Sequence, residues 1–261
     1  MTKLAIDNVS RTFPGTHGGQ PVKALQPTNL AVNANDFITI LGPSGCGKST
    51  LLRIVAGLDT PSTGRVLLDG REVTRPGPDR GMVFQSYTLF PWLTVADNIA
   101  FGLREKGTPE KERRDIVASY VDLVGLKGFE NHWPKQLSGG MQQRTAIARA
   151  LANDPEILLL DEPFGALDNQ TRGLMQELLL GIWEKRKKTV LFVTHDIEEA
   201  IFMASRVIVM SARPGRIKSN VVVDLPHPRL YTIKTSAEFS ALKARLTEEI
   251  RVEAMRTAEA H

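Results

Sequence analysis

Phe37-Ile38-Thr39-Ile40-Leu41-Gly42-Pro43-Ser44-Gly45-Cys46-Gly47-Lys48-Ser49-Thr50 decides the architecture. An unbroken apolar run ends in a cluster of glycines, and Thr50-Leu51-Leu52-Arg53-Ile54-Val55-Ala56 follows as a helical pattern that Gly57 stops. A buried strand therefore turns through a glycine loop into a helix. The loop fits G-x-x-x-x-G-K-[ST] at every fixed position. Glycines let successive backbone N–H groups point inward around a phosphate, and the helix N-terminus adds a partial positive charge of about half a unit. Gly42, Pro43, Ser44, Gly45, Cys46, Gly47 and Thr50 are expected to line a nucleotide's phosphates, with Lys48 reaching the β- and γ-phosphates. The Ser49 hydroxyl is expected in the shell of a Mg²⁺ ion. Cys46 lies near a helix start and beside Lys48, a setting that favours thiolate. Its side chain is nevertheless expected to point away while its amide faces phosphate.

Four further apolar runs read as strands: residues 81–84, 157–160, 190–193 and 207–210. Continuous rather than alternating apolarity marks parallel strands buried on both faces, and helical patterns between them give an α/β core. Residues 4–9 and 28–32 instead alternate with period two, which predicts an antiparallel sheet flanking that core. Between about residues 89 and 151 no strand is evident. Residues 94–103, 109–124 and 138–151 read as helices of a lobe inserted between the second and third strands. Near the other end, Thr235-Ser236-Ala237-Glu238 has the form of a capping box, followed by Phe239, Leu242, Leu246 and Ile250 as an amphipathic stripe. The organisation expected is a nucleotide-binding domain over 1–230 and a helical tail over 231–261.

Ile157-Leu158-Leu159-Leu160-Asp161-Glu162 is a strand ending in paired carboxylates. Ligands of doubly wound sheets bind beyond the carboxyl ends of the strands, so Asp161 is expected to hold Mg²⁺ and Glu162 to act as general base on an attacking water. Leu137-Ser138-Gly139-Gly140 opens a second helix whose amides can approach an anion, with Ser138 as its cap. Two phosphate-seeking helix starts in one chain suit a head-to-tail dimer with two shared sites.

Composition bounds the rest. With 42% apolar and 24% charged residues, the chain can bury a core. No stretch reaches the ~18 apolar residues of a membrane span, and residues 1–13 lack the apolar core of a secretory signal. One cysteine fits a reducing compartment. A net charge of +4 arises from 33 basic and 29 acidic residues, and the densest basic run, Lys185 to Lys188, closes a helical pattern without interleaved aromatics. That pattern speaks for a solvated helix end and against a nucleic-acid surface. His17, His132, His227 and His261 show no metal-ligand spacing.

Over residues 1–225 the sequence resembles the nucleotide-binding subunit of an ATP-binding cassette (ABC) transporter. Beyond the phosphate loop, the Leu-Ser-Gly-Gly signature and the acidic strand, Gln85 matches the family's Q-loop, Ala166-Leu167-Asp168 its D-loop and His195 its switch histidine. The resemblance implies a P-loop NTPase core of RecA-like type, with an antiparallel β subdomain and an inserted helical subdomain. ATP and Mg²⁺ are the implied cofactors. It further implies that Gln85 links Mg²⁺ and water to a membrane partner, that Asp168 acts across the dimer, and that His195 contacts the γ-phosphate. Lys48, Gln85, Glu162 and His195 are then the catalytic set; Ser49, Gln85 and Asp161 face the metal. Phe13 lies where the family places an aromatic on adenine, though it also suits a core position. The alternative for Asp168 is that it merely caps a helix starting near residue 169.

Met141 departs from the family's usual Gln after the signature glycines. Leu89-Phe90-Pro91-Trp92-Leu93 suits either a permease interface or lobe core. The run Met210 to Ile217 with Val223-Asp224-Leu225-Pro226 resembles the nitrate, sulfonate and taurine importer branch. The resemblance implies a peripheral place at the cytoplasmic face of the inner membrane, with a second copy or paired ABC subunit, a transmembrane permease and, indirectly, an extracytoplasmic binding protein as partners. ABC proteins of translation carry two cassettes per chain, and those of chromosome maintenance insert a long coiled coil. Neither pattern is present.

Overall fold

The computed structural model describes residues 2–15, 19–165 and 167–259, with side chains to 255. His17, Ala166 and His261 lie outside the described residues. Along the chain the order is β1 (Thr2–Phe13), β2 (Val22–Asn33), β3 (Phe37–Leu41), α1 (Lys48–Val55), β4 (Thr63–Leu68), β5 (Arg71–Glu72), β6 (Arg80–Val83), α2 (Val95–Glu105) and α3 (Glu110–Leu123). Then come α4 (Gly139–Ala152), β7 (Ile157–Asp161), α5 (Asn169–Arg186), β8 (Thr189–Thr194), α6 (Ile197–Met203), β9 (Arg206–Met210), β10 (Ile217–Val222) and α7 (Ala237–Glu259). Two compact units result, Met1–Gly77 with Leu180–His261, and Pro78–Leu179.

The first unit contains parallel strands and an antiparallel sheet, each where the patterning puts it. β3 pairs in parallel with β8 and β9, and β10 runs antiparallel to β9. Every residue of β3 and β8 is buried, as continuous apolarity requires. In β2, Thr28, Leu30 and Val32 are buried and their neighbours exposed. The alternation of β1 breaks after Ile6, where Asn8 takes a positive φ of 52° and the pairing with β2 shifts register. Asn tolerates that region of backbone space. Trp183 packs its ring 5.8 Å from that of Phe37 and donates to the Asn35 carbonyl at 3.1 Å. β4, β5 and β10 were not legible as apolar runs, since their residues are mostly exposed.

α7 buries Phe239 and Leu246, while Leu242 and Ile250 are half-buried. Its expected capping box is corrected: Ser236, not Thr235, is the cap, accepting from the Phe239 N–H at 3.1 Å. Thr235 sits in a 3-10 turn and gives its hydroxyl to the Thr232 carbonyl.

The second unit joins β6 and β7 in parallel and carries α2, α3 and α4. The helices begin where local chemistry allows. Thr94 caps α2 through the Asp97 N–H, Pro109 precedes α3, and Ser138 caps α4. β6 is only half-buried over Arg80–Met82, less than its apolar sequence suggests. Asn98, fully buried, binds the carbonyls of Phe90, Leu93 and Thr94 and the Phe90 N–H, tying the segment before α2 to its first turn.

Candidate functional site

In the first unit the loop after β3 is shaped by glycines that have no alternative. Gly47 (φ 102°, ψ 9°) stands at the N-cap of α1, and a Cβ there would lie 2.6 Å from Leu25 Cδ2 and 3.0 Å from the Ala24 carbonyl oxygen. Gly45 is also left-handed, with φ 72°. No side chain caps α1 and its first turn holds no acid, so the amides of a helix start, which have no intrahelical acceptor, retain their positive end. Lys48, 5% exposed, folds back and donates to the carbonyls of Gly42 at 2.8 Å and Pro43 at 2.9 Å. Its ammonium is thereby stationed over the loop's own backbone. Ser49 and Thr50 follow in the first turn, both half-buried.

Cys46 is buried, and burial pushes its thiol pKa up against the opposing pull of Lys48. The expectation of a favoured thiolate is thus corrected: desolvation outweighs the neighbouring charge.

The parallel register sets His195 beside this loop. Leu41 of β3 pairs with Thr194 of β8, so the residues that follow, Gly42 and His195, leave adjacent strand ends. His195 is exposed, and Asp196 next to it caps α6 by accepting from the Glu199 N–H at 2.9 Å. Phe13 ends β1 opposite Val22, half-buried, with the Arg11 guanidinium 4.6 Å from its ring centre.

In the second unit the same geometry recurs. Val83 pairs with Leu160, so Gln85 and Glu162 each stand two residues beyond a matched pair. Gln85 Nε2 donates to Glu162 Oε2 at 3.3 Å. Asp161, 7% exposed, precedes Glu162, whose backbone is left-handed at φ 45°. That region is costly for a non-glycine residue, about 1–3 kcal/mol, and strain of this kind concentrates at functional sites.

At the start of α4, Ser138 accepts from the Met141 N–H at 3.3 Å. A Cβ on Gly139 would meet Tyr87 Oη at 2.6 Å, so the end of that tyrosine, which carries no motif of its own, would have to move aside for any other residue. A Cβ on Gly140 would lie 3.3 Å from Leu167 Cδ2 and 3.7 Å from Thr171 Cγ2, which places the start of α4 against the start of α5. Asp168 caps α5: one carboxylate oxygen accepts from the N–H groups of Gln170 and Thr171, each at 3.0 Å, and the Thr171 hydroxyl first, then these amides, hold its carboxyl below the usual range. The capping alternative for Asp168 is therefore realised, its carboxylate otherwise facing solvent. Met141 is half-buried on the helix.

The aromatic stretch before α2 divides its labour. Phe90 packs into the lobe, 4.5 Å from the Phe101 ring with Arg149 5.3 Å from its centre, whereas Trp92 is 67% exposed. Arg149 also donates to Thr88, at 2.9 Å to its carbonyl. Two further residues escaped the motif reading: Arg213, which donates to the Gly45 carbonyl at 3.2 Å, and Gly215, which lies against Cys46. The sequence run holding them was noted only as a mark of one importer branch.

Comparison with known proteins agrees with this geometry. The family model described as ABC transporter matches residues 25–165. An uncharacterised ABC transporter ATP-binding protein of Methanocaldococcus jannaschii is 54% identical over 98% of this chain and 94% of its own length. The nitrate import ATP-binding protein NrtD of Synechocystis is 48% identical, covering 94% of this chain and 97% of its own. The aliphatic sulfonates import ATP-binding protein SsuB of Bacillus cereus is also 48% identical, over 94% and 95%. Among solved structures, a dimeric ATP-binding cassette in a post-hydrolysis state bound to ADP and Pi aligns with TM-score 0.77 at 36% identity, covering 85% of this chain and all of that one. With a family match across most of the strand and loop motifs and relatives near half identity along nearly its whole length, this chain belongs to the ABC transporter family and is one of its ATP-binding, ATP-hydrolysing cassettes.

Proposed function

We propose that the chain energises an importer, working as a head-to-tail pair of cassettes on the cytoplasmic face of the membrane beneath a separate permease. Its cargo on this reading is a small oxyanion of the nitrate, sulfonate or taurine kind, delivered by an extracytoplasmic binding protein. The similarity to NrtD and SsuB over 94% of the chain supports the importer assignment. No helix among the described residues is long and apolar enough to cross a membrane, consistent with a permease on another chain. The catalytic cassette is assigned to 1–230, with the lobe at 89–151 facing the permease through Trp92 and the tail from 231 appended.

Within each half-site the loop 42–50 would hold the phosphates and Phe13 the adenine. The opposing subunit would supply Ser138, Gly139, Gly140 and Asp168. Ser49, Asp161 and the Gln85 amide would each offer an oxygen, the donor chemistry that suits Mg²⁺. The Gln85 nitrogen is already given to Glu162, which leaves its oxygen as the atom for another ligand. Bound there, the ion would neutralise charge on the β- and γ-phosphates.

The chain's own residues then divide the chemistry. Lys48 exchanges its loop carbonyls for phosphate oxygens. Glu162, steadied by Gln85, takes a proton from the attacking water, and His195 orients the γ-phosphate. The observation that carries the hydrolytic assignment is the Glu162 carboxylate, hydrogen-bonded to Gln85 one residue beyond a buried aspartate. Glu162→Gln is expected to bind ATP normally and lose about 10²- to 10⁴-fold in turnover. Near-normal ATPase in that variant, assembled with its permease, would remove the general-base role. Copurification from detergent-solubilised native membranes tests the importer role, and recovery of the chain with ribosomes or DNA but no membrane protein would overturn it.

A further inference from the structure

The turn between β9 and β10 touches the phosphate loop on one side and the C-terminal helix on the other. Gly215 donates its N–H to the Ala24 carbonyl at 2.9 Å and accepts from the Gln26 N–H at 2.8 Å. These bonds fix the turn to β2, whose Ala24 and Leu25 also wedge Gly47. A methyl group on Gly215 would lie 1.9 Å from the Cys46 carbonyl oxygen, so the phosphate loop rests directly on this backbone. From the same turn Arg213 Nε reaches the Gly45 carbonyl at 3.2 Å. Carbonyl and N–H point oppositely across a trans peptide. Holding the Gly45 oxygen outward therefore turns the Cys46 N–H into the loop, toward the Pro43 carbonyl 3.4 Å away.

The turn is held from behind by a carboxylate on α7. Glu253 is 1% exposed; one oxygen accepts from the Ala212 N–H at 3.1 Å and the other pairs with Lys218 Nζ at 3.0 Å. A buried carboxylate is costly unless so bonded, which makes this a fixed contact rather than a surface one.

We propose that turn 211–216 positions the phosphate loop, Arg213 setting the Gly45–Cys46 peptide and Glu253 fixing the turn, so that the C-terminal helix tunes nucleotide affinity. The inference rests on the reading of 42–50 as the phosphate-binding loop and gives the tail a role that reading leaves open. Arg213 is a positioning residue: it acts on the loop's backbone, and its side chain is exposed, so truncating it is expected to spare the fold.

The test is titration of the full chain with a fluorescent N-methylanthraniloyl ATP, alongside ATPase kinetics and melting temperature. Arg213→Ala is expected to raise Kd and KM about fivefold, the weight of one ordinary hydrogen bond, with kcat and melting temperature unchanged. Arg213→Lys should recover part of the loss. Glu253→Ala should raise Kd as well, with Glu253→Gln intermediate because it keeps an acceptor for Ala212. Lys243→Ala cuts a different tether of α7, to Glu198, and should leave Kd alone. Wild-type Kd in Arg213→Ala overturns the proposal even if Glu253→Ala fails to fold; so does an equal rise in Lys243→Ala. Lys48→Ala separates the two levels of argument, since wild-type binding in that variant would refute the phosphate-loop reading itself.

Discussion

Arg229→Met should cost this protein more stability than any surface substitution, although it removes a charge from the interior. Arg229 is 3% exposed, and its hydrogen bonds among the described residues run to backbone carbonyls. Its Nη1 donates to the carbonyls of Ile201 at 3.2 Å, Phe202 at 3.1 Å and Ala204 at 2.6 Å, and its Nη2 to Val223 at 3.3 Å and Leu225 at 3.4 Å. Three of these carbonyls belong to the C-terminal turn of α6, where no backbone donor remains and the helix dipole is negative. Burial pushes the guanidinium down to about 10, so it stays charged at neutral pH. Methionine fills similar volume but offers no donor. Each close carbonyl left unpaired in the interior costs about 1–3 kcal/mol, and relief of the arginine's own desolvation offsets part of the total. The net expectation is a loss of about 3–5 kcal/mol, or roughly 6–20 °C in melting temperature for a chain of this size. Lysine should restore little, because a single nitrogen cannot span both carbonyl groups that the planar fork reaches. Urea unfolding of the purified chain reads the loss directly as a lower midpoint at constant slope. A variant within about 0.5 kcal/mol of wild type would refute the claim that these carbonyls depend on Arg229.

Other expectations are narrower. Asp168→Asn keeps the α5 cap and should retain the wild-type melting temperature, whereas Asp168→Ala should lower it; ATPase lost in the Asn variant alone would mark a role for the charge beyond capping. His227 is held below its ordinary pKa by burial and then by Arg229, against the pull of Glu184 at 2.9 Å. The unfolded chain therefore takes up that proton first, and stability should fall as pH drops through the window just below 6.5. His227→Gln should flatten the melting temperature between about pH 7 and 5.5; an unchanged slope would discount the histidine. Trp92→Ala should leave melting of the isolated chain unchanged and weaken copurification with the permease; undiminished recovery would remove Trp92 from that interface.

What could be read from the sequence was whatever binds its chemistry to spacing. The glycine loop, the signature glycines and the carboxylate pair each work through adjacent residues, so their local order carries the geometry. Pairing then does the rest, because a matched register of parallel strands brings Gly42 and His195 to neighbouring ends, as it does Gln85 and Glu162. β10, at a sheet edge, and β4, between β1 and β5, escaped because their many exposed side chains leave no apolar run. Ser236 displaced Thr235 as a cap because the threonine hydroxyl was already engaged by the preceding turn. Arg229, Glu253 and Arg213 belong to no local motif, since what they bind, mostly backbone atoms and for Glu253 also Lys218, is assembled only by the fold. Cys46 departs from its expectation for a similar reason: burial is a property of the packed neighbourhood, whereas the sequence displayed only the helix start and the adjacent lysine.

With Glu162 as the proposed general base, its left-handed backbone sets stability and turnover in opposition at a single position. Asparagine tolerates that conformation better than any residue but glycine. Replacing Glu162 by asparagine should recover a fraction of the ~1–2 kcal/mol that Cβ costs an L-residue there, because its short amide can hydrogen-bond the local backbone. A laboratory selection for thermal tolerance alone would then drift away from the carboxylate, toward a cassette that melts later and turns over no ATP. Persistence of glutamate at 162 would thus serve as a sign that a natural variant is still selected for work rather than for durability.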